Sequence, residues 1–192
     1  MSNPTVSLYS TTPNDIQLAL AYFPILVDLA KQKENVEYGK LVAMAKAKYP
    51  NNPVVQRAIA VSTGRKLAVV RSFTDDRGLP DITSLVVNRN SGECGDGFTD
   101  YFDPEHARKK VFDFDWSKVS SDFDKFTKRP ETIITPRKQM KEQEAVEIMA
   151  QFYQKNKEQL PSSVRQKRDL IIELLIEGLT PENAFSQAIN AK

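Results

Sequence analysis

Cysteine and histidine each occur once, as Cys94 and His106, in a chain of 192 residues. A lone cysteine forms no internal disulfide. One cysteine and one histidine also fall short of the ligand set of a zinc site, and a Cys/His nucleophile pair would need these two residues to meet. Long apolar runs are missing as well. The longest near the amino terminus, Leu18 to Val27, contains Pro24 and is far shorter than the roughly 20 residues of a membrane span. The chain start has no basic segment leading into an apolar stretch, so no secretory signal is read there and a cytoplasmic location is expected. An excess of one charge is absent too. The 27 basic and 25 acidic residues leave a net charge of +2, so attraction to nucleic acid or an anionic membrane would have to come from a local patch.

What is present is an ordinary globular composition, 40% apolar and 27% charged. Thr12-Pro13 with Asp15 is a helix start, because the hydroxyl caps free amides and proline loses nothing at the first helical position. Ile16, Leu20, Phe23, Val27 and Ala30 follow at helical spacing, and Pro24 is expected to kink or split that helix. Leu41, Val42, Met44 and Ala45 mark a second helix, closed by Tyr49 to Pro53, with a helix-like segment at Val54 to Val61. Thr63 introduces a helix from Gly64 to about Asp75, with Leu67, Val70 and Phe73 facing inward and Arg65, Lys66, Arg71 and Thr74 on other faces. Ile82 to Asn88 is β-branched and expected to be a buried strand. Arg89 to Phe98 holds three of the seven glycines and is expected to be a loop.

Asp103-Pro104 opens a helix through Lys110, followed by the aromatic cluster Phe112, Phe114 and Trp116. Arg129 to Thr135 is assigned as a linker. After it, helices starting at Thr135-Pro136, at Ser162 or Ser163, and at Thr180-Pro181 are expected to form a three-helix unit over residues 136 to 190. The expected fold is therefore mostly helical α+β, with one domain over residues 12 to 128 and a helical bundle after it.

Leu29-Ala30-Lys31-Gln32-Lys33-Glu34-Asn35-Val36-Glu37-Tyr38-Gly39-Lys40-Leu41-Val42-Ala43, Gly64-Arg65, Gly78-Leu79-Pro80, Ser84 to Asn88, Gly92, Gly95, Gly97-Phe98 and Phe112 to Trp116 form a recognisable series. Over roughly residues 24 to 118 it resembles a winged-helix-like module that recurs in phage and restriction-associated bacterial proteins. The resemblance implies a helix-turn-helix followed by strands and a glycine-rich wing, in a setting of mobile elements and their conflicts with hosts.

For chemistry, Asp113, Asp115, Asp122 and Asp124 are the carboxylates that a magnesium-dependent nuclease would need. They alternate with Phe112, Phe114, Trp116, Phe123 and Phe126, however, which makes them the polar face of segments that bury aromatics, and no metal site is assigned. Pro80-Asp81 opens like a restriction-type nuclease motif, but no acidic-x-lysine follows. The glycines at 92 to 97 lack the spacing and helix-starting lysine of a phosphate loop. Arg65, Lys66 and Arg71 would contact DNA if their helix is a recognition helix, with Arg165, Lys167 and Arg168 as a second basic cluster near Lys155 and Lys157. Met140, Met149, Phe152 and Tyr153 form an adaptable stripe for a protein partner or for the bundle's own core. The expected function is non-catalytic and without a cofactor: binding of DNA or a DNA-processing complex. The alternative is a protein that binds and blocks a host defence or replication enzyme, and a metal-dependent nuclease ranks below both.

Overall fold

The computed structural model describes residues 11–95, 103–128 and 140–191. Thr12 caps helix α1 (Pro13–Gln32) reciprocally: the Asp15 amide donates to the Thr12 hydroxyl at 3.2 Å, and Thr12 N donates to the Asp15 carboxylate at 2.9 Å. The helix does not split at Pro24. A proline inside a helix costs about 3 kcal/mol, whereas full burial of one large apolar side chain returns about 1.5–3 kcal/mol. Tyr22, Phe23, Ile25, Leu26 and Val27 around the proline are all buried, so packing outweighs the missing hydrogen bond.

Helix α1 is the axis of the first unit, which spans Met1–Ile134. Around it pack α2 (Tyr38–Lys48), α3 (Pro53–Gln56), α4 (Thr63–Asp76), α5 (Pro104–Asp113) and α6 (Ser120–Thr127). The short α3 starts at Asn52, whose side chain accepts from the amides of Val54 and Val55, and it ends well before Val61. Phe23 lies at the centre of the aromatic core, 5.5 Å from Phe73, 4.3 Å from Phe123 and 6.4 Å from Trp116 between ring centroids. Trp116 is buried with its indole donating to the Val111 carbonyl at 2.9 Å, so that core holds no orphaned donor there.

The expected strand over Ile82 to Asn88 forms only at Val86–Val87 (β2), which pairs in parallel with Val36–Glu37 (β1). Its first half is a 3-10 turn, Ile82–Leu85, because the Asp81 carboxylate accepts from the Thr83 amide at 3.0 Å and the Thr83 hydroxyl at 2.6 Å. A short side chain that bonds two residues ahead holds the backbone in a turn in place of a sheet ladder. At the end of α4, Gly78 takes φ +61°, and Leu79 N reaches back to the Thr74 carbonyl at 2.8 Å. That left-handed exit is open to glycine at little cost.

The described residues are mostly helical. Their one strand pair is parallel, where a wing would be an antiparallel hairpin; Gly97-Phe98 of the expected loop lies outside the described residues. The assigned linker and the expected helix start at Thr135-Pro136 also lie outside them.

The second unit, Thr135–Lys192, contains α7 (Glu142–Asn156), a 3-10 segment (Ser162–Lys167), α8 (Arg168–Ile176) and α9 (Pro181–Asn190). Ser162 therefore begins a 3-10 segment, and α8 starts after it. Thr180 caps α9, accepting from the Asn183 amide. Its core is Ile171, Leu174, Leu175, Phe185 and their neighbours, with Phe152 of α7 4.7 Å from Phe185. Among the described residues no helix is long and apolar enough to cross a membrane.

Candidate functional site

The three cations expected on α4 are held by partners inside their own unit. Lys66 is fully buried: its ammonium donates to Ser62 Oγ at 2.8 Å and lies 3.4 Å from Asp15 Oδ1, an ionic contact without hydrogen-bond geometry. Arg65 donates to the other oxygen of Asp15 at 2.6 Å. Arg71 meets Asp81 at 2.8 Å, and both side chains are mostly buried. Asp75 adds to the acid beside Arg71; loss of hydration first, and the nearby Asp81 second, push its carboxyl pKa up, while Arg71 pulls it down. Helix α4 thus turns its ammonium and guanidinium groups toward carboxylates. Thr74, also expected on another face, is buried.

The second basic cluster is likewise engaged, though nearer the surface. Arg165 donates to the Tyr153 hydroxyl at 2.7 Å with its cation 5.8 Å from that ring's centroid. Lys167 donates to the Ala191 carbonyl at 3.0 Å, tying the 3-10 segment to the end of α9. Arg168 is exposed and pairs with the neighbouring Asp169.

A different basic surface emerges on α2 and α3. Residues 38 to 74 contain seven Lys and Arg and no Asp or Glu. Besides Lys66, Arg65 and Arg71, this stretch carries Lys40, Lys46, Lys48 and Arg57. Leu41, Val42 and Ala45 of α2 are buried against the core, which leaves Gly39, Lys40, Ala43, Ala47 and Lys48 exposed and Lys46 half-buried. The turn that follows adds exposed Asn51, and α3 adds exposed Gln56 and Arg57. Gln56 fastens the two helices by donating to the carbonyls of Lys46 at 2.9 Å and Tyr49 at 3.2 Å. Lys46 and Lys48 occupy the last turn of α2, where they also offset the helix dipole. Lys48 is 3.5 Å from Asp28 with both side chains well exposed, a contact that solvent and salt screen strongly. The absence of acid over residues 38 to 74 is the signal in the sequence that marks this face.

The carboxylates considered for magnesium are dispersed in use. Asp115 accepts from the Ser117 amide, Asp122 pairs with Lys125, and Asp113 and Asp124 are exposed. Among the described residues no three His, Cys, Asp or Glu side chains are grouped to hold a metal ion. Cys94 is 4% exposed, while His106 is exposed on α5. The Cys94 thiol donates to the Ser84 carbonyl at 3.3 Å and lies 3.7 Å from an Arg108 nitrogen. Burial pushes the thiol's pKa up more than Arg108 lowers it, so the nucleophilic thiolate is scarce at neutral pH. Native protein is expected to react with a thiol-disulfide reagent at pH 7 at least tenfold more slowly than protein unfolded in guanidinium, a difference timed by absorbance. Equal rates would show that Cys94 is reachable and reactive in the fold.

Comparisons with known proteins match no family model, no curated protein and no solved structure.

Proposed function

We propose that this chain is a non-catalytic, cytoplasmic protein of the phage or mobile-element kind that binds DNA or a DNA-processing complex, and that it does so through α2 and α3. The observation that carries this reading is the basic surface of exposed Lys40, Lys48 and Arg57 with half-buried Lys46, within a stretch of 37 residues free of carboxylate. A polyanion is the partner whose charge complements it, because lysine and arginine neutralise phosphates and release their counterions. Helix α4 then serves as a core element, and the winged-helix-like arrangement implied by the resemblance contributes its helical part to the binding surface.

The test is fluorescence anisotropy of labelled duplex DNA at low salt. Replacing Lys40, Lys46 and Lys48 together with Gln is expected to weaken binding by tenfold or more while leaving the helical circular dichroism unchanged. Arg71→Gln is expected to lower the melting temperature and leave the affinity of the folded protein within about twofold, since removal of one half of a mostly buried ion pair leaves the other uncompensated. No duplex binding by the wild-type protein at low salt would end the DNA reading.

One observation favours the rival reading, a protein that binds and blocks a host defence or replication enzyme. Over the fifteen residues of α7 only Ala145 is buried; Ile148, Met149, Phe152 and Tyr153 are half-buried, as is Met140 before it. A flexible, polarizable methionine stripe suits a protein surface. Stoichiometric complex formation that is insensitive to DNA and lost on Met149→Glu would support that reading over the first.

A further inference from the structure

We propose that two copies of this chain associate through α7, the two helices lying antiparallel with Met149 near the twofold axis. The proposal stands apart from DNA binding and from the α2–α3 face.

The incompletely covered helix belongs to the second unit. A domain of about 60 residues buries only about 60% of the surface that its unfolded chain exposes. Two of its helices still seat their apolar sides well, with five of nine residues buried in α8 and three of ten in α9. In α7 one residue of fifteen is buried, Ala145. Val146, Met149 and Tyr153 are half-buried, and they recur at the three- and four-residue spacing of a single helix face. Exposed Glu142 and Lys157 extend that face at its two ends. Arg165 donates to the Tyr153 hydroxyl at 2.7 Å.

The order of charges says what covers this face. Counting inward from both ends of residues 141 to 158, Lys141 stands opposite Glu158, Glu142 opposite Lys157, and Glu144 opposite Lys155. All six are exposed, and none has a side-chain partner among the described residues. Polar Gln143 likewise mirrors Asn156, and apolar Val146 mirrors Tyr153. A helix whose charges have opposite signs about its own midpoint complements a copy of itself turned end for end, which is the patch a twofold dimer requires. The helix dipole favours acid early and base late, and so suits Glu142, Glu144 and Lys155. It disfavours Lys141 at the start and Glu158 beyond the end, so the dipole does not account for the whole pattern. Paired on the Val146, Met149 and Tyr153 side, the helices set Glu142 against Lys157 of the second copy at both ends, with Val146 against Tyr153 between them. The opposite flank, with Glu144, Gln151 and Lys155, is the more polar of the two.

A helix of fifteen residues is about 22 Å long, so the contact is small and the dimer weak. Sedimentation velocity of the full chain at low salt, from about 1 to about 300 µM, spans the range in which such a contact forms. The chain is expected to pass from monomer to dimer. Lys157→Glu is expected to weaken association roughly tenfold, because it turns two symmetry-related ion pairs into repulsions. Glu142→Lys is expected to do the same. An equimolar mixture of these two variants should associate within about threefold of the wild type, since both ends of the mixed dimer again pair opposite charges. Lys155→Glu, on the other flank, should leave association within about twofold of the wild type. The substituted side chains are all exposed, and unchanged helical circular dichroism checks that each variant is folded.

A monomer over the whole range overturns the proposal, whatever else the chain captures. So does a dimer indifferent to Lys157→Glu, a mixture that fails to recover association, or a loss that follows Lys155→Glu instead.

Discussion

Asp15→Ala lowers the stability of the first unit by about 3–5 kcal/mol, the cost of removing one partner from a buried ion pair. The side chains of Asp15 and Lys66 are 2% and 1% exposed, and Arg65 shares the same carboxylate. Removing Asp15 takes away the hydrogen-bonding half of the α1 cap as well, because its carboxylate accepts from the amide and the hydroxyl of Thr12. What remains is an ammonium group deep in the protein with Ser62 beside it and its carboxylate gone. Lys66→Met in the same background removes that buried charge and is expected to recover a large part of the loss, since apolar replacements of buried ion pairs are often neutral or better. Urea unfolding of the single and double variants measures both. A loss below about 1 kcal/mol for Asp15→Ala would show that solvent reaches this cluster.

Phe23→Ala is the second large effect, with an expected loss of about 3–5 kcal/mol. The ring meets Phe73, Phe123 and Trp116 at once, so truncation opens a cavity whose walls belong to α1, α4, α6 and the segment after α5. Partial collapse is resisted because each neighbouring ring is itself fixed: Trp116 by its bond to Val111, and Phe73 by contacts with Phe123 and Phe126. Phe23→Leu keeps most of the volume and is expected to cost less than half as much. Chemical unfolding separates the two, and equal losses would contradict the shape-dependent packing described here.

The parts of this fold that are local in origin are legible in the sequence. Thr12-Pro13, Asp103-Pro104 and Thr180-Pro181 each start a helix, because cap and proline act within three residues of one another. Parts that depend on distant partners are not. Lys66 looks like a solvent-facing cation until α1 brings Asp15 to it, and Arg65 reaches the same carboxylate across 50 residues of sequence. Ile82 to Asn88 has the composition of a strand, but Asp81 diverts its first half into a turn, leaving Val86–Val87 to pair.

The candidate surface stands between these cases. The acid-free stretch from Tyr38 to Thr74 is plain in the sequence, but which of its seven cations reach solvent is decided by α1 and by Asp81. Reading the run without those partners favours α4, whose Arg65-Lys66 pair is the densest charge in it. With them, the charge left at the surface belongs to α2 and α3.

Amide hydrogen exchange with and without duplex DNA tests that assignment most directly. Added DNA is expected to slow exchange over Gly39–Lys48 and Asn51–Arg57 while α4 is unchanged. Slowing confined to α4 or to the carboxy-terminal helices, with α2 and α3 unaffected, would contradict it.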